Sequence, residues 1–281
     1  MRRPTTRAIR DELDRRYEAF RESPAAVDGF VALDPVRFPR LLAAGGGDRA
    51  AVEITAFLSA TIAWGRRDMI LRSAERLFDP SGDFDPLGRC SAKGAGKRVV
   101  GRGRNIHRTF FESDLAYFVN GFRRYYERHE SLEELFLGSP AESVGESKCP
   151  IWLGIERFRA EMAAGNGGAP SRHVANAAAG SACKRMHLAL RWLVRRGPVD
   201  LGLWTRVDPS ALYVPLDVHV ARSARSLGLL ERKSNDRKAV VELTERLREF
   251  CPEDPVKYDF VLFDSASFVG AGTGADQKEF S

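Results

Sequence analysis

The stretch whose reading decides the fold is Pro215–Leu216–Asp217–Val218–His219–Val220, continued by Ala221–Arg222 and a run to Leu229. Pro215 closes an extended segment, because its ring removes a backbone donor and restricts the residue before it. Asp217 stands just ahead of a helical pattern in which Val220, Ala224 and Leu227 share a face, so its carboxylate can cap the first free amides. A helix N-terminus also keeps a carboxylate ionised and fixed in direction, since orphan N–H groups and the helix dipole both favour negative charge. Asp217 is therefore a cap, or a cap that also catalyses.

Working outward, apolar residues recur at helical spacing. Ile54, Phe57, Leu58, Thr61 and Ile62 follow a capping Asp48, Leu115, Phe118, Val119, Phe122 and Tyr126 repeat the pattern, and Met186, Ala189, Leu190, Leu193 and Val194 form a third stripe beginning just after Lys184. No segment of useful length has the strand period, so the fold class is predicted to be all-α. Thr5 to Glu22 reads as an exposed helix that packs through Leu13, Tyr17 and Phe20, which sets residues 1–29 apart from a body spanning 30–264. Two loops interrupt that body. Residues 78–108 lose periodicity and intersperse Arg89, Lys93, Lys97, Arg98, Arg102, Arg104 and Arg108 with glycines and no intervening acid, giving a solvated loop or an arm that follows phosphates. Residues 163–180 are rich in Gly and Ala and poor in large apolar residues. The small, polar, Gly-rich residues 265–281 are expected to be disordered.

The composition narrows the function classes. In 281 residues, 44 Lys and Arg face 38 Asp and Glu, a net charge of +6, which suits a polyanionic partner. No apolar run approaches a membrane span, and Met1–Arg2–Arg3 leads into a charged amphipathic segment instead of an apolar signal core, so a cytoplasmic protein without a membrane partner is expected. Cys90, Cys149, Cys183 and Cys251 lie far apart with no Cys-x-x-Cys pair, which encodes neither a zinc site nor an iron–sulfur loop. No metal and no cofactor are expected, and the chain is read as a monomer.

The segment PLDVHVARSARSLGL resembles the one that carries the essential Asp of the helix-hairpin-helix (HhH-GPD) DNA glycosylases, the family of endonuclease III and 8-oxoguanine glycosylase. AFLSATIAWGRRDMI is similar to the helix and polar turn that open their domain, with Thr61 and Trp64 at the positions that face DNA, a place in the core being the alternative reading of Trp64. SACKRMHLALRWLVRRGPVDLGLW and CPEDPVKYDFVLF resemble an uncharacterised bacterial family grouped with these glycosylases, a likeness covering roughly residues 30–263.

The resemblance implies a two-lobed helical fold with a central cleft, and base excision from DNA, or from RNA, on a flipped base, with an added lyase step. Asp217 would stabilise the cation developing on the sugar, and Lys184 would attack C1′ and hold it as a Schiff base. His219 would support the turn from a buried position. Arg66, Arg67, Lys97, Arg98, Arg102, Arg104, Arg185, Arg191 and Arg222 would contact nucleic acid, although Arg222 serves equally well as a salt-bridge partner. Lys184 follows Ala179–Gly180–Ser181–Ala182–Cys183 and not the usual Leu-Pro-Gly-x-Gly hairpin, and the 33 residues from Lys184 to Asp217 resemble the spacing of the archaeal 8-oxoguanine glycosylase branch. An exposed lysine at a helix start is the alternative reading of Lys184. Two rival functions remain open: a nucleic-acid-binding protein without chemistry on the same fold, and a helical interaction protein whose basic surface is merely solvated.

Overall fold

The computed structural model describes residues 5–79, 81–82, 84–91, 101–138 and 150–263. Among them the chain runs through α1 (Thr6–Arg21), α2 (Pro24–Ala32), α3 (Arg37–Ala44), α4 (Arg49–Thr61), α5 (Arg67–Phe78) and α6 (Pro86–Ser91). A hairpin of β1 (Asn105–His107) and β2 (Phe110–Phe111) follows, then α7 (Glu112–Tyr126), α8 (Pro150–Ala164), α9 (Lys184–Val194), α10 (Val218–Ser226), α11 (Arg237–Phe250) and α12 (Asp259–Phe263). Short 3-10 turns at Leu132–Phe136, Pro209–Ala211 and Pro255–Tyr258 join some of these. No helix among the described residues is long and apolar enough to cross a membrane.

Helix α4 lies at the centre. Asp48 Oδ1 accepts the Ala51 N–H at 2.7 Å, the cap expected from sequence, and every residue from Val52 to Thr61 is buried. The apolar stripe predicts one covered face; α3 and α9 both pack on the helix and it is covered all round. A helix buried in this way has to satisfy its own polar side chains. Glu53 is fully buried and accepts four hydrogen bonds: from Tyr126 Oη at 2.6 Å, Ser131 Oγ at 2.6 Å, Leu132 N at 2.7 Å and Trp204 Nε1 at 2.8 Å. One carboxylate thus ties α4 to α7, to the turn after it, and to the connection between α9 and α10.

The helical fold class and the packing of α1 stand as expected, and one reading changes. The molecule is mostly helical, but β1 and β2 form an antiparallel hairpin, with Asn105 opposite Phe111 and His107 opposite Phe110. Strands of three and two residues are too short to print a period of two. Residues 78–108 are not one loop: Phe78 ends α5, and α6 and β1 lie inside the range. Arg89 and Arg104 converge on Glu112, at 3.6 and 3.5 Å, so the acid that holds this basic run stands just beyond its end. Lys93, Lys97, Arg98 and the 265–281 tail fall outside the described residues. Helix α1 packs through the residues expected: Leu13 and Tyr17 are buried, with Ile9 beside them, and Phe20 stacks on Phe260 of α12 at 5.3 Å.

Replacing Glu53 by Ala strips four donors of their acceptor at once, and a buried donor left unpaired costs about 1–3 kcal/mol. We expect Glu53→Ala to lower unfolding free energy by at least about 3 kcal/mol in urea melts, with Glu53→Gln losing less because an amide oxygen still accepts. A change under 1 kcal/mol would remove Glu53 from its central role.

Candidate functional site

Two helix starts build the site. Cys183 adopts a left-handed conformation, φ 49°, and turns the incoming chain so that Lys184 is the first residue of α9. Asp217 is the extended N-cap of α10, and its Oδ1 accepts the N–H groups of His219 at 2.8 Å and Val220 at 2.9 Å. The other oxygen, Oδ2, lies 3.3 Å from Lys184 Nζ. Capping and pairing use different oxygens of one carboxylate, so the cap fixes the direction in which Asp217 meets the lysine. The Lys184 side chain is 34% exposed and that of Asp217 12%, which leaves the pair open to a ligand on one side.

The pair lies in a cleft of about 720 Å³ whose walls come from α2, the turns after α2 and α4, α9, α10 and α12. Trp64, Phe260 and Phe263 give it flat apolar surface. The turn that places Trp64 needs Gly65, whose φ of 98° is left-handed and whose missing side chain leaves room for Arg108; a Cβ there would stand 2.6 Å from Arg108 Nη1.

Two further carboxylates line the cleft, Asp34 and Asp259, and neither was singled out from sequence. Burial pushes the Asp259 carboxyl up to about 6, against the pull of Arg191 and with added repulsion from Asp217. Burial also raises Asp34, again opposed by Arg191.

Arg191 corrects the sequence reading most sharply. It does not reach phosphate: it is 2% exposed, its Nε lies 3.3 Å from Asp200 Oδ1, Nη1 binds Asp259 Oδ2, and the guanidinium covers the Phe260 ring at 4.4 Å. Arg195, one turn on, is equally buried between Asp200, Asp254 and Tyr17 Oη. Lys184, Arg191 and Arg195 do share a face of α9, and that face meets four aspartates, Asp200, Asp217, Asp254 and Asp259. His219 is also corrected. It is exposed, not buried, because Val220 and Ala221 take the inward positions of α10, and its ring meets Phe263 edge-on at 5.8 Å.

The remaining predicted contacts divide. Arg185 is partly buried; its Nη1 donates to Thr61 O at 2.8 Å and its guanidinium lies over the Trp64 ring at 5.1 Å. Arg67 lines the cleft above the Phe263 ring at 5.0 Å. Arg66 is exposed and chelates Asp68 through two 3.1 Å hydrogen bonds, while Arg222 is exposed with no ion pair among the described residues. Arg102 lies over the Phe111 ring at 5.4 Å and Arg104 pairs with Glu112, both away from the cleft lining. Thr61 is buried. Among the described residues no group of three or more His, Cys, Asp or Glu side chains could hold a metal ion.

The raised Asp259 has a measurable consequence. A carboxyl whose folded value of about 6 exceeds its ordinary 3.8 binds its proton more tightly folded than unfolded, so it subtracts stability as pH rises through that window. Asp259→Asn stays neutral throughout. The stability of Asp259→Asn relative to wild type should therefore climb by something on the order of 2–3 kcal/mol between pH 4 and 6.5 and then level off. Parallel stability curves across that range would place no titration at Asp259.

Residues 34–267 match a family described as "Protein of unknown function (DUF2400)". Neither a curated protein nor a solved structure matches the chain. A match that begins at Asp34 on the cleft wall and spans α3 through α12 takes in both helix starts of the site, and on that ground the chain belongs to the DUF2400 family.

Proposed function

We propose that this protein is a base-excision DNA glycosylase with lyase chemistry, built on a fold of the helix-hairpin-helix glycosylase kind, acting on a base flipped out of duplex DNA in the cytoplasm. The observation that carries the reading is the 3.3 Å approach of Lys184 Nζ to Asp217 Oδ2 inside an aromatic-walled cleft. Support also comes from the likeness of the Pro215–Leu229 and Ser181–Trp204 segments to that family, and from the chain's net positive charge.

The residues suit the chemistry step by step. A flipped base needs flat faces to stack against, which Trp64, Phe260 and Phe263 supply. As the bond between C1′ and the base nitrogen breaks, positive charge develops on the sugar, and Asp217 is fixed beside it by its own cap hydrogen bonds. Neutral Lys184 Nζ forms the new bond to C1′ and passes a proton to the departing base nitrogen. Its lone pair then forms the C1′=N bond as the C1′–O4′ bond breaks and O4′ takes a proton from solvent, and the resulting protonated Schiff base opens the way to strand cleavage.

The non-catalytic binding protein is favoured by one observation: the same Lys184–Asp217 contact bridges the starts of α9 and α10 and would serve as a tie between them. The two readings part on reaction. We expect borohydride to trap a covalent adduct between the wild-type chain and at least one member of a duplex panel carrying single lesions or an abasic site, and Lys184→Ala to abolish it without loss of fold. Asp217→Asn keeps a good helix cap but no charge, and should reduce turnover by about 10²–10³, equivalent to about 2.7–4 kcal/mol of transition-state stabilisation. Wild type that binds these duplexes but traps none, or variants that match it throughout, would leave the binding protein as the correct reading.

A further inference from the structure

Behind the cleft lies a second hollow of about 740 Å³, which shares Ala63, Trp64, Lys184 and Asn235 with it. Four cationic side chains line this basin, Arg159 from α8, Arg172 from the following loop, and Lys184 and Arg185 from α9, together with the polar Ser171, Asn176, Ser181 and Asn235. Among the described residues no acidic side chain lines it. The contrast with the far end of α9 is sharp, since there Arg191 and Arg195 are matched by Asp200, Asp254 and Asp259.

The three arginines are held without being neutralised. Arg159 Nη1 donates to Val174 O at 2.8 Å, Arg172 Nη2 to Thr109 O at 2.6 Å and Arg185 Nη1 to Thr61 O at 2.8 Å. A guanidinium carries five N–H donors, so one bond to a main-chain carbonyl fixes its plane and leaves donors for a ligand. None of the three forms an ion pair among the described residues, whereas the buried Arg191 and Arg195 both do. Gathering like charges from three parts of the chain costs electrostatic energy that a bound anion removes. Cys183 offers no side-chain cap to the N-terminus of α9, so the helix dipole at this wall adds to the same field.

We propose that this basin binds a phosphate group of a nucleic-acid strand, the one flanking the sugar addressed by Lys184. The assignment rests on the glycosylase reading for the identity of that sugar and on the basin itself for the phosphate. Planar arginine forks suit phosphate oxygens bidentately, and Lys184, which belongs to both hollows, links phosphate and sugar across a single side chain. A free nucleotide carries the same phosphate chemistry. The strand is the better occupant because the basin adjoins the cleft through Ala63, Trp64, Lys184 and Asn235, and a lone phosphate would fill little of its volume of about 740 Å³.

The test is a binding cycle that needs no chemistry. Duplexes carry a tetrahydrofuran abasic analogue, which cannot be processed, with each neighbouring phosphodiester replaced in turn by a neutral methylphosphonate. Affinities are read by fluorescence anisotropy for wild type, for Arg172→Ala, whose exposed side chain makes unfolding an improbable outcome, and for Arg159→Gln. A charge-assisted contact of about 1.5 kcal/mol or more corresponds to about tenfold or more in affinity. We expect one methylphosphonate position to weaken wild type about tenfold while costing Arg172→Ala less than twofold, a non-additive cycle that marks direct contact. Additive losses at every position, or no binding of the duplex by wild type, would overturn the proposal. Calorimetric binding of a deoxynucleoside 5′-monophosphate that Arg172→Ala abolishes, beside additive duplex cycles, would overturn the strand as the source. Coupling without any trapped adduct would leave this proposal standing while the glycosylase reading fell, and an active enzyme with additive cycles would do the reverse.

Discussion

Two arginines buried one turn apart on a single helix impose the constraint on which the rest of the structure depends. Arg191 and Arg195 on α9 are 2% and 1% exposed. An interior charge costs several kcal/mol unless it is paired and hydrogen-bonded. The chain meets that demand by bringing Asp200 back from the connection after α9, Asp254 from the turn before the Pro255–Tyr258 segment and Asp259 from the start of α12, with Tyr17 of α1 completing the shell. The path of the last third of the protein, and the seating of its first helix, follow from satisfying one face of α9.

That network also decides what the candidate site contains. Asp259 reaches the cleft wall because it is held by Arg191, and its proximity to Asp217 joins burial in keeping its carboxyl protonated to higher pH than usual. Arg191 Nη2 is buried with no hydrogen-bond partner among the described residues. The cleft side of Lys184 thus mixes Asp34, Asp217 and Asp259 with Arg67 and Arg191, whereas the charged residues that line the basin side are all cationic among the described residues.

Helix α4 supports both halves from beneath. Its burial on all sides is stabilised by Glu53 at one end, and at the other its final carbonyl, Thr61 O, receives Arg185, while Trp64 emerges from the turn immediately after it. His107 of the hairpin fastens that turn: its Nε2 lies 2.8 Å from Trp64 O and its Nδ1 3.0 Å from Ser73 Oγ of α5. The small hairpin thus has a mechanical part in the site, as a brace for the tryptophan that divides cleft from basin.

The sequence by itself determined the features that depend on neighbours a few residues apart. The helical character followed from apolar periodicity, the caps at Asp48 and Asp217 from a carboxylate just ahead of a stripe, and the choice of Lys184 and Asp217 as candidates from local motifs. It did not determine which charges are inside, because a charged stripe reads as solvated unless its partners are adjacent. The partners of Arg191 lie 9 and 68 residues away, and the acid that holds Arg104 stands eight residues beyond it. The same limit hid Asp34 and Asp259, made Arg191 look like a phosphate contact, and put His219 inside when its neighbours on α10 had already taken the inward positions. Only tertiary structure fixes such cases, since burial and long-range pairing set the energy of a charge and neither is a property of the surrounding residues in the chain.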